Sequence, residues 1–521
     1  MTLVVPLEEV FADKSGLLAS PSWWERVELG EVCEVLNGYP FKSKLFNRSN
    51  GLPVIRIRDL EKGRTETRFN GDVEPEYVVE NGDILVGMDG LFRCHEWSGG
   101  RAGLNQRVCK LIPDERFLLK RYLLYVLPGY LQAIQDATSS VTVGHLSSRD
   151  ILRIPLPLPS LCEQRRLVTT LDNVVLKSDQ CRQRLDRIPD LLRRFRQSVL
   201  AAACSGKLTE DWREVNLPVE STQSLVRRIV ERRAATVSGT VKSRRKSDLS
   251  PSDYLRRFSS LRSDLDLFEL PDGWMWVDLE FLMDPEEAFC YGVVQPGKEV
   301  FGGPRLIRVC DLESGTVKTD GLRSISPEIH DKYSRSTLKG GELLVSVVGT
   351  IGRSAIAPPG VAGANIARAV AKLPIREFDS AYVLSWLSTS VAQAWMIQDA
   401  REVARKTLNL EQLKTLPVPL PAPREQTEIS RRVGLLLSLA GQIESRYQKA
   451  KTQVDKLTPA ILAKAFCGEL VPQDPNDEPA EKLLERIRAE RANGPEKIRK
   501  GRKSATRKTG PSARKKRHTM K

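Results

Sequence analysis

The sequence has no C-x-x-C pair among its nine cysteines, and its four histidines stand apart, none at metal-ligand spacing. That excludes a zinc finger or ribbon. An odd, scattered set of thiols also argues for a reducing, cytoplasmic compartment over a disulfide framework. No apolar run approaches the ~18 residues of a membrane span. The opening MTLVVPLEEVFADK lacks the basic-then-apolar order of a signal peptide. Catalytic signatures are missing as well. GVVQPGKE (292–299) fits G-x4-G-K, but Glu299 stands where a Ser or Thr should hold magnesium, and Pro296 removes a backbone donor, so a turn is the better reading. GTIG (349–352) is too short for a dinucleotide loop and reads as a tight turn. There is no methylase-type glycine loop or N/D-P-P-F/Y tetrad, and the strand acids Asp83 and Glu342 have no D/E-x-K partner for a nuclease metal.

Acidic balance is scarce only locally. The net charge is +15, yet from Arg491 onward 13 Lys/Arg face one acid, and residues 221–262 carry 11 against three. The rest of the chain is net acidic. The basic surplus therefore belongs to a tail and a linker, which offer sequence-blind attraction to phosphates at most.

What is present is a duplication with a period of about 260 residues, far longer than a solenoid unit. Trp24 in PSWWERVEL answers Trp274 or Trp276 in PDGWMWVDL; LPVIRIRDLEKG (52–63) answers PRLIRVCDLESG (304–315). NGDILV (81–86) pairs with GGELLV (340–345), and AGLN (102–105) with AGAN (362–365). HLSSRDILRIPLPLP (145–159) pairs with TLNLEQLKTLPVPLP (407–421), and Glu163-Gln164 with Glu425-Gln426. The offset drifts through the first part of each copy and then holds at 262 as far as Gly206 and Gly468.

The stretch of fixed offset carries a heptad seam: Ile429, Val433, Leu436, Ala440, Ile443, Tyr447, Ala450, Val454, Leu457 and Ile461 step by four and three. The first copy supplies Leu167, Leu171, Val174, Ser178, Cys181, Leu185, Ile188, Leu192, Phe195 and Val199 in the same register. Each seam spans roughly 50 Å at ~1.5 Å per residue. Each starts after a proline-rich stop and ends near a C-capping glycine, and Pro189 and Pro459 should bend them. Short β-rich runs such as VIRIRDL, DILVGM and ELLVSVVG precede each helix, along with helical stretches at 117–137 and 379–400. SLVRRIVERRAA (224–235) and KLLERIRAERAN (482–493) form a weaker, helical echo. The fold expected is α+β: two tandem globules, each followed by a long helix, the two helices packing on each other as a coiled coil. The boundaries are a first globule at 1–158, its helix at 159–207, a basic linker with a short helix at 208–268, and a second globule at 269–421. A second long helix at 422–470, a short helix at 471–494 and a basic tail at 495–521 complete the division, with 236–265 and the tail expected to be disordered.

A duplicated globule, a long helix after each copy, and P-x-P-L-P-x-x-x-E-Q at each helix start resemble the specificity subunit of type I restriction-modification systems over roughly 20–490. The resemblance implies a non-catalytic, cytoplasmic chain whose two target-recognition domains read the halves of an asymmetric DNA site, with the helices packed as an antiparallel coiled coil about a pseudo-two-fold axis and acting as a ruler between the domains. It implies double-stranded DNA, two methylase subunits and translocase-nuclease subunits as partners, and no membrane. It implies no cofactor in this chain, with S-adenosylmethionine, ATP and Mg2+ used by the partners. The helical seam (Leu167, Leu171, Val174, Leu185, Leu192, Ile429, Val433, Leu436, Ile443, Val454, Leu457) would serve coiled-coil and partner contacts. The recognition subunit of another restriction or methylation system (type IIB or IIG) and a coiled-coil scaffold without a DNA role are the competing readings. Because arginine grips guanine with two parallel donors, the candidate DNA contacts are Arg56, Arg58, Arg93, Asn105, Gln106 and Arg107 in the first copy. In the second they are Arg308, Arg353, Asn365, Arg368, Arg405 and Lys406.

Overall fold

The computed structural model describes residues 6–12, 15–138, 145–216, 221–239, 267–313, 315–398 and 407–493. The expected disordered stretches, 236–265 and 495–521, lie for the most part outside them. The chain forms two units: residues 1–183 with 451–521, and residues 184–450.

In the first unit the proline-rich run is itself a strand. Pro155–Leu158 pairs antiparallel with Glu25–Glu28, its alternate prolines costing little because a two-stranded ribbon leaves one edge unpaired. A four-stranded antiparallel sheet follows the order Cys33–Asn37, Val108–Pro113, Ile84–Gly87, Cys94–Glu96. In a five-stranded sheet, Leu52–Ile55 runs parallel to Ala102–Leu104. The helix Lys120–Thr138 packs its Tyr122, Leu123, Val126, Leu127 and Tyr130 into the core despite Pro128. The same core takes Ala465, Phe466 and Val471, and Leu483, Leu484 and Ile487 of the helix Ala480–Asn493. Residues from the far end of the chain thus close the first globule.

The second unit repeats this plan. Met275–Asp278 pairs with Pro417–Leu420, and Arg305–Ile307 runs parallel to Asn365–Ile366. The strands Cys290–Tyr291, Val370–Leu373, Leu343–Ser346 and Ser354–Ile356 lie in the order of their first-unit counterparts. The helix expected over 379–400 is two, Ser380–Leu387 and Ser390–Gln398. The core receives Val199, Leu200, Ala203 and Cys204 from the first copy's helical tract and Leu225, Val226 and Ile229 from the helix Thr222–Gly239.

The repeated Glu-Gln dipeptide explains how globule and helix are joined. Trp24 Nε1 donates to Glu163 Oε2 at 3.0 Å, and Trp274 Nε1 to Glu425 Oε2 at 2.9 Å. Trp274, not Trp276, is therefore the counterpart of Trp24. Gln164 Oε1 accepts from Leu119 N at 2.8 Å while its amide donates to the Phe117 and Pro159 carbonyls. Gln426 accepts from Asp379 N at 3.1 Å and donates to the Pro421 carbonyl at 3.0 Å. Tyr122 and Tyr382 each donate a hydroxyl to a carbonyl of the proline-rich strand, Pro157 and Pro419.

The two latches differ in one respect. Glu425 Oε1 accepts from Thr209 Oγ1 at 2.7 Å and Arg213 Nη1 at 2.6 Å. Glu163 Oε1 has no partner among the described residues, and burial raises its carboxyl above the ordinary range. Glu425→Gln strands the half-buried Arg213, and we expect a loss of about 3 kcal/mol in denaturant unfolding. Glu163→Gln keeps an acceptor for the indole and should fall within about 1 kcal/mol of wild type. Since burial makes Glu163 bind its proton more tightly in the folded chain, wild type should lose stability relative to Glu163→Gln as pH rises from about 4.5 through the raised native value.

The first copy's helix is broken. It runs as Leu161–Leu185 and Ile188–Cys204, with Pro189 in the first turn of the second piece, whereas Pro459 lies inside the continuous Pro423–Phe466. Antiparallel pairing is visible inside each unit. Ser178 meets Thr458 and Arg182 meets Asp455 in the first; Arg196 meets Glu444 and Arg432 meets Asp211 in the second. Leu167, Leu171, Leu192, Ile429 and Val433 are buried, and Val174, Leu185, Leu436 and Val454 half-buried. Ile443 and Leu457 depart from the expected seam, at 40% and 43% exposure.

Gly38 and Gly292 mark one further shared constraint. A Cβ at Gly38 would sit 2.1 Å from the Asn105 carbonyl oxygen, and one at Gly292 would sit 1.6 Å from that of Ile366. The backbones must separate to admit a methyl group, breaking the Val293–Ile366 hydrogen bond. Gly292→Ala should therefore cost on the order of 2–3 kcal/mol, read as a lowered unfolding midpoint.

Candidate nucleic-acid interface

The candidate residues of the first unit gather at one end of its four-stranded sheet, where Ile84–Gly87 ends and Val108–Pro113 begins. Met88 N donates to the Arg107 carbonyl and Gly87 N to that of Arg93, so both arginines border the same strand end. The short helix Ile57–Leu60 packs over Gly87, bringing Arg56 and Arg58 to this end. Gln106 N donates to the Tyr39 carbonyl, fixing the loop that carries Asn105, Gln106 and Arg107.

The second unit rebuilds this rim with different side chains. Val347 N donates to Ala369, Ser346 N to Arg353 and Arg368 N to Val293. The backbone thus sets Ala369 where the first unit has Arg107, and Arg368 where it has Gln106. Gly349 and Gly352 hold φ of 78° and 87°, so GTIG is the tight turn expected, and it carries Arg353 out of the sheet. The segment 292–299, expected as a turn, is an irregular run with bends at Val294 and Lys298 in which Val293 is bridged to Ala367, and it leads to a fully exposed Phe301 that the sequence reading had not singled out.

The cations differ in freedom. Arg56 and Arg308 each cap a short helix whose third residue answers them: Asp59 Oδ2 accepts from Arg56 N at 3.1 Å, and Asp311 Oδ2 from Arg308 N at 2.7 Å. The guanidinium of Arg308 reaches both Asp311 oxygens at 3.1 Å. Burial pushes the Asp311 carboxyl up, but the Arg308 hydrogen bonds outweigh it and hold it below its ordinary range. Repetition of R-x-x-D thus follows first from local folding. Arg93 pairs with Glu61 at 2.9 Å and Arg107 with Asp89 at 2.6 Å. Arg58, Arg353 and Arg368 are exposed and have no ion pair among the described residues.

Asn365 is the exception among the candidates. It is fully buried, its oxygen 2.6 Å from His330 Nδ1 and its amide donating to the Tyr333 carbonyl and Ser336 Oγ. With its hydrogen-bonding capacity spent on the core, it cannot meet a base. Asn105, which answers it in the sequence motif, sits two places further along the backbone, where the second unit has Ala367; it is half-buried and accepts from Gln106 N. Arg405 and Lys406 lie outside the described residues. Asp83, weighed as a metal ligand, instead accepts from Lys110 Nζ at 2.7 Å. Among the described residues no cluster of three or more His, Cys, Asp or Glu is arranged to hold a metal, and no helix is long and apolar enough to cross a membrane. The arrangement offers exposed arginines and a glutamine on two rims, suited to hydrogen-bonding base edges and phosphates.

The sequence was compared with known proteins. Residues 21–189 and 299–445 match the type I restriction modification DNA specificity domain. The type I restriction enzyme EcoBI specificity subunit of Escherichia coli is 40% identical over 491 residues, covering 92% of this chain and 94% of that one. The EcoDI specificity subunit, also of Escherichia coli, is 25% identical over 491 residues, covering 91% and 96%. A chain from a solved type I restriction-modification assembly shares the fold at a TM-score of 0.53 and 17% identity, over 87% of this chain and 99% of its own.

Proposed function

The chain belongs to the type I restriction modification DNA specificity family, and from that premise we propose that each of its two units reads one half of a split, asymmetric DNA site. It is a specificity subunit, not itself a catalyst. The observation that carries the two-half reading is the contrast between frame and rim. The Trp–Glu latch, the Gln clamp, the close-approach glycine and the R-x-x-D cap recur in both units. At the rim, Gln106 faces Arg368 across the repeat, Arg107 faces Ala369, and the connecting turns are GLFRC and GTIGRS. A homodimer reads a palindrome; two unlike rims on one chain read unlike half-sites.

In this reading Arg58, Arg93, Gln106 and Arg107 contact DNA in the first half-site, and Arg353, Arg368, Arg405 and Lys406 in the second. Arg56 and Arg308 are limited to the donors their aspartates leave free. The domain division is that of the repeat, with recognition domains at 1–158 and 269–421 joined to helical tracts at 159–207 and 422–470. Two methylase subunits dock on the helical region, where Leu176, Leu191, Leu435 and Leu439 are 58%, 59%, 60% and 49% exposed. Translocase-nuclease subunits complete a cytoplasmic complex. S-adenosylmethionine, ATP and Mg2+ act in those partners.

Genome-wide methylation mapping tests this directly. Deleting the gene, its neighbours left intact, should abolish one gapped, two-part methylated motif, and replacing residues 20–158 should alter one half alone. Unchanged methylation after deletion, or a swap that changes both halves, would count against it. Because the basic surplus lies in linker and tail, the isolated chain should also bind its site at least about tenfold more weakly than the methylase-bound form at 0.15 M salt. Fluorescence anisotropy checks this, and equal affinity would refute it.

A further inference from the structure

The first unit carries a three-residue cluster at its rim that does not recur at the equivalent described positions of the second. Asp89 follows the strand Ile84–Gly87, immediately after Met88, whose N–H is bonded to the Arg107 carbonyl. Its Oδ2 lies 2.6 Å from Arg107 Nη1, and its Oδ1 lies 2.5 Å from His145 Nδ1. Asp89 and His145 also form a β-bridge, so the carboxylate is held by backbone as well as by side chains. Burial grades outward: the Asp89 side chain is 24% exposed, His145 35% and Arg107 55%. A shielded acid thus sits behind a solvent-facing guanidinium.

The same backbone bonds locate the counterparts. The bridge Asp89–His145 corresponds to Val348–Thr407, and the bond to the Arg107 carbonyl corresponds to the bond to Ala369. Acid, base and cation are replaced together by Val348, Thr407 and Ala369. If Asp89 served only the fold, the second unit, built on the same frame, would need an equivalent. It has none, whereas the Trp–Glu latch and the R-x-x-D cap are kept in both.

We propose that Asp89 is a positioning residue, buttressed by His145, that presents Arg107 as a guanine-reading fork in the half-site of the first unit. The proposal rests on the DNA-reading function above and adds to it one position and one base. With Nη1 engaged by the carboxylate, Nη2 and Nε point the same way and have no partner among the described residues. They are the parallel pair of donors that matches O6 and N7 of guanine. A long arginine otherwise loses rotamer freedom when it binds; a carboxylate behind it removes much of that cost beforehand. Ala369 offers no such fork at the equivalent place in the second unit, whose half-site is met by Arg368 and Arg353 from other places on the rim.

The test uses the chain assembled with its methylase subunits and compares wild type with Asp89→Asn, Asp89→Glu, Arg107→Lys and Arg107→Ala. Methylation is mapped over a genome or a randomised-site library. Asp89→Asn and Arg107→Lys should each relax discrimination at one G·C position of one half-site by about 10–100-fold. The other half-site should be unchanged, and Asp89→Glu should restore part of the loss. Uniform weakening over all sequences in Arg107→Ala, the mark of a phosphate contact, would overturn the proposal. So would full retention of the motif in both Arg107→Ala and Asp89→Asn. Should Asp89→Asn fail to assemble, the exposed Arg107 variants decide the matter alone. If wild type yields no gene-dependent motif, the DNA-reading function fails, and this inference with it; if the motif is intact and the variants leave it unaltered, this inference fails by itself.

Discussion

A buried glutamate and glutamine at the start of each long helix form the constraint on which the architecture depends. One carboxylate accepts an indole N–H from the residue just before the first strand of the proline-rich ribbon; the neighbouring amide closes on the start of a core helix and on the end of the proline-rich strand. Buried polar groups are costly unless paired, so both residues enforce a single geometry in place of a range of similar ones. The direction in which the helix leaves the globule is set by these bonds. Variation elsewhere in the globule can then proceed without disturbing it.

That separation gives the molecule its functional logic. The frame is determined by interactions that involve no base: a latch, a clamp, a glycine at close approach and a self-capped short helix. The rim hangs from backbone bonds that accept almost any side chain, as Arg107 and Ala369 show in equivalent places. Two copies of one frame can therefore carry unrelated recognition surfaces, and one chain can specify a sequence with no internal symmetry.

Much of this was legible before any coordinates. The repeat, the paired helices and the Glu-Gln register followed from offsets that stay constant, because helices tolerate few insertions. The α+β character followed from short alternating runs. What escaped was set by tertiary context. Pro189 and Pro459 look alike in sequence, yet one stands at a helix start and the other inside a continuous helix. Trp274 and Trp276 were indistinguishable until the carboxylate on the opposite element chose between them. Asn365 shares its motif with Asn105, but strand register sets it where the first unit has Gly103, and His330, Tyr333 and Ser336 hold it inward. Among the candidate contacts the arginines were found by residue type alone. Asp89 and His145 were not, since 56 residues separate them; the available signal was that His145 opens a repeated stretch whose other copy opens on Thr407.

The way the units are composed has a consequence for how the protein is made. The first globule is synthesised early, but its core is completed by Ala465, Phe466 and Val471 and by the helix holding Leu483, Leu484 and Ile487. These residues leave the ribosome only after the whole of the second globule has been made. The first unit must therefore wait, with an apolar surface uncovered, for the last portion of the chain. The second meets no such delay, because Val199 to Cys204 and the helix around Leu225 precede it. Assembly is ordered in time, and a chain cut short after the second globule lacks the residues that complete the core of the first. A completed first core therefore reports that the second globule has already been translated.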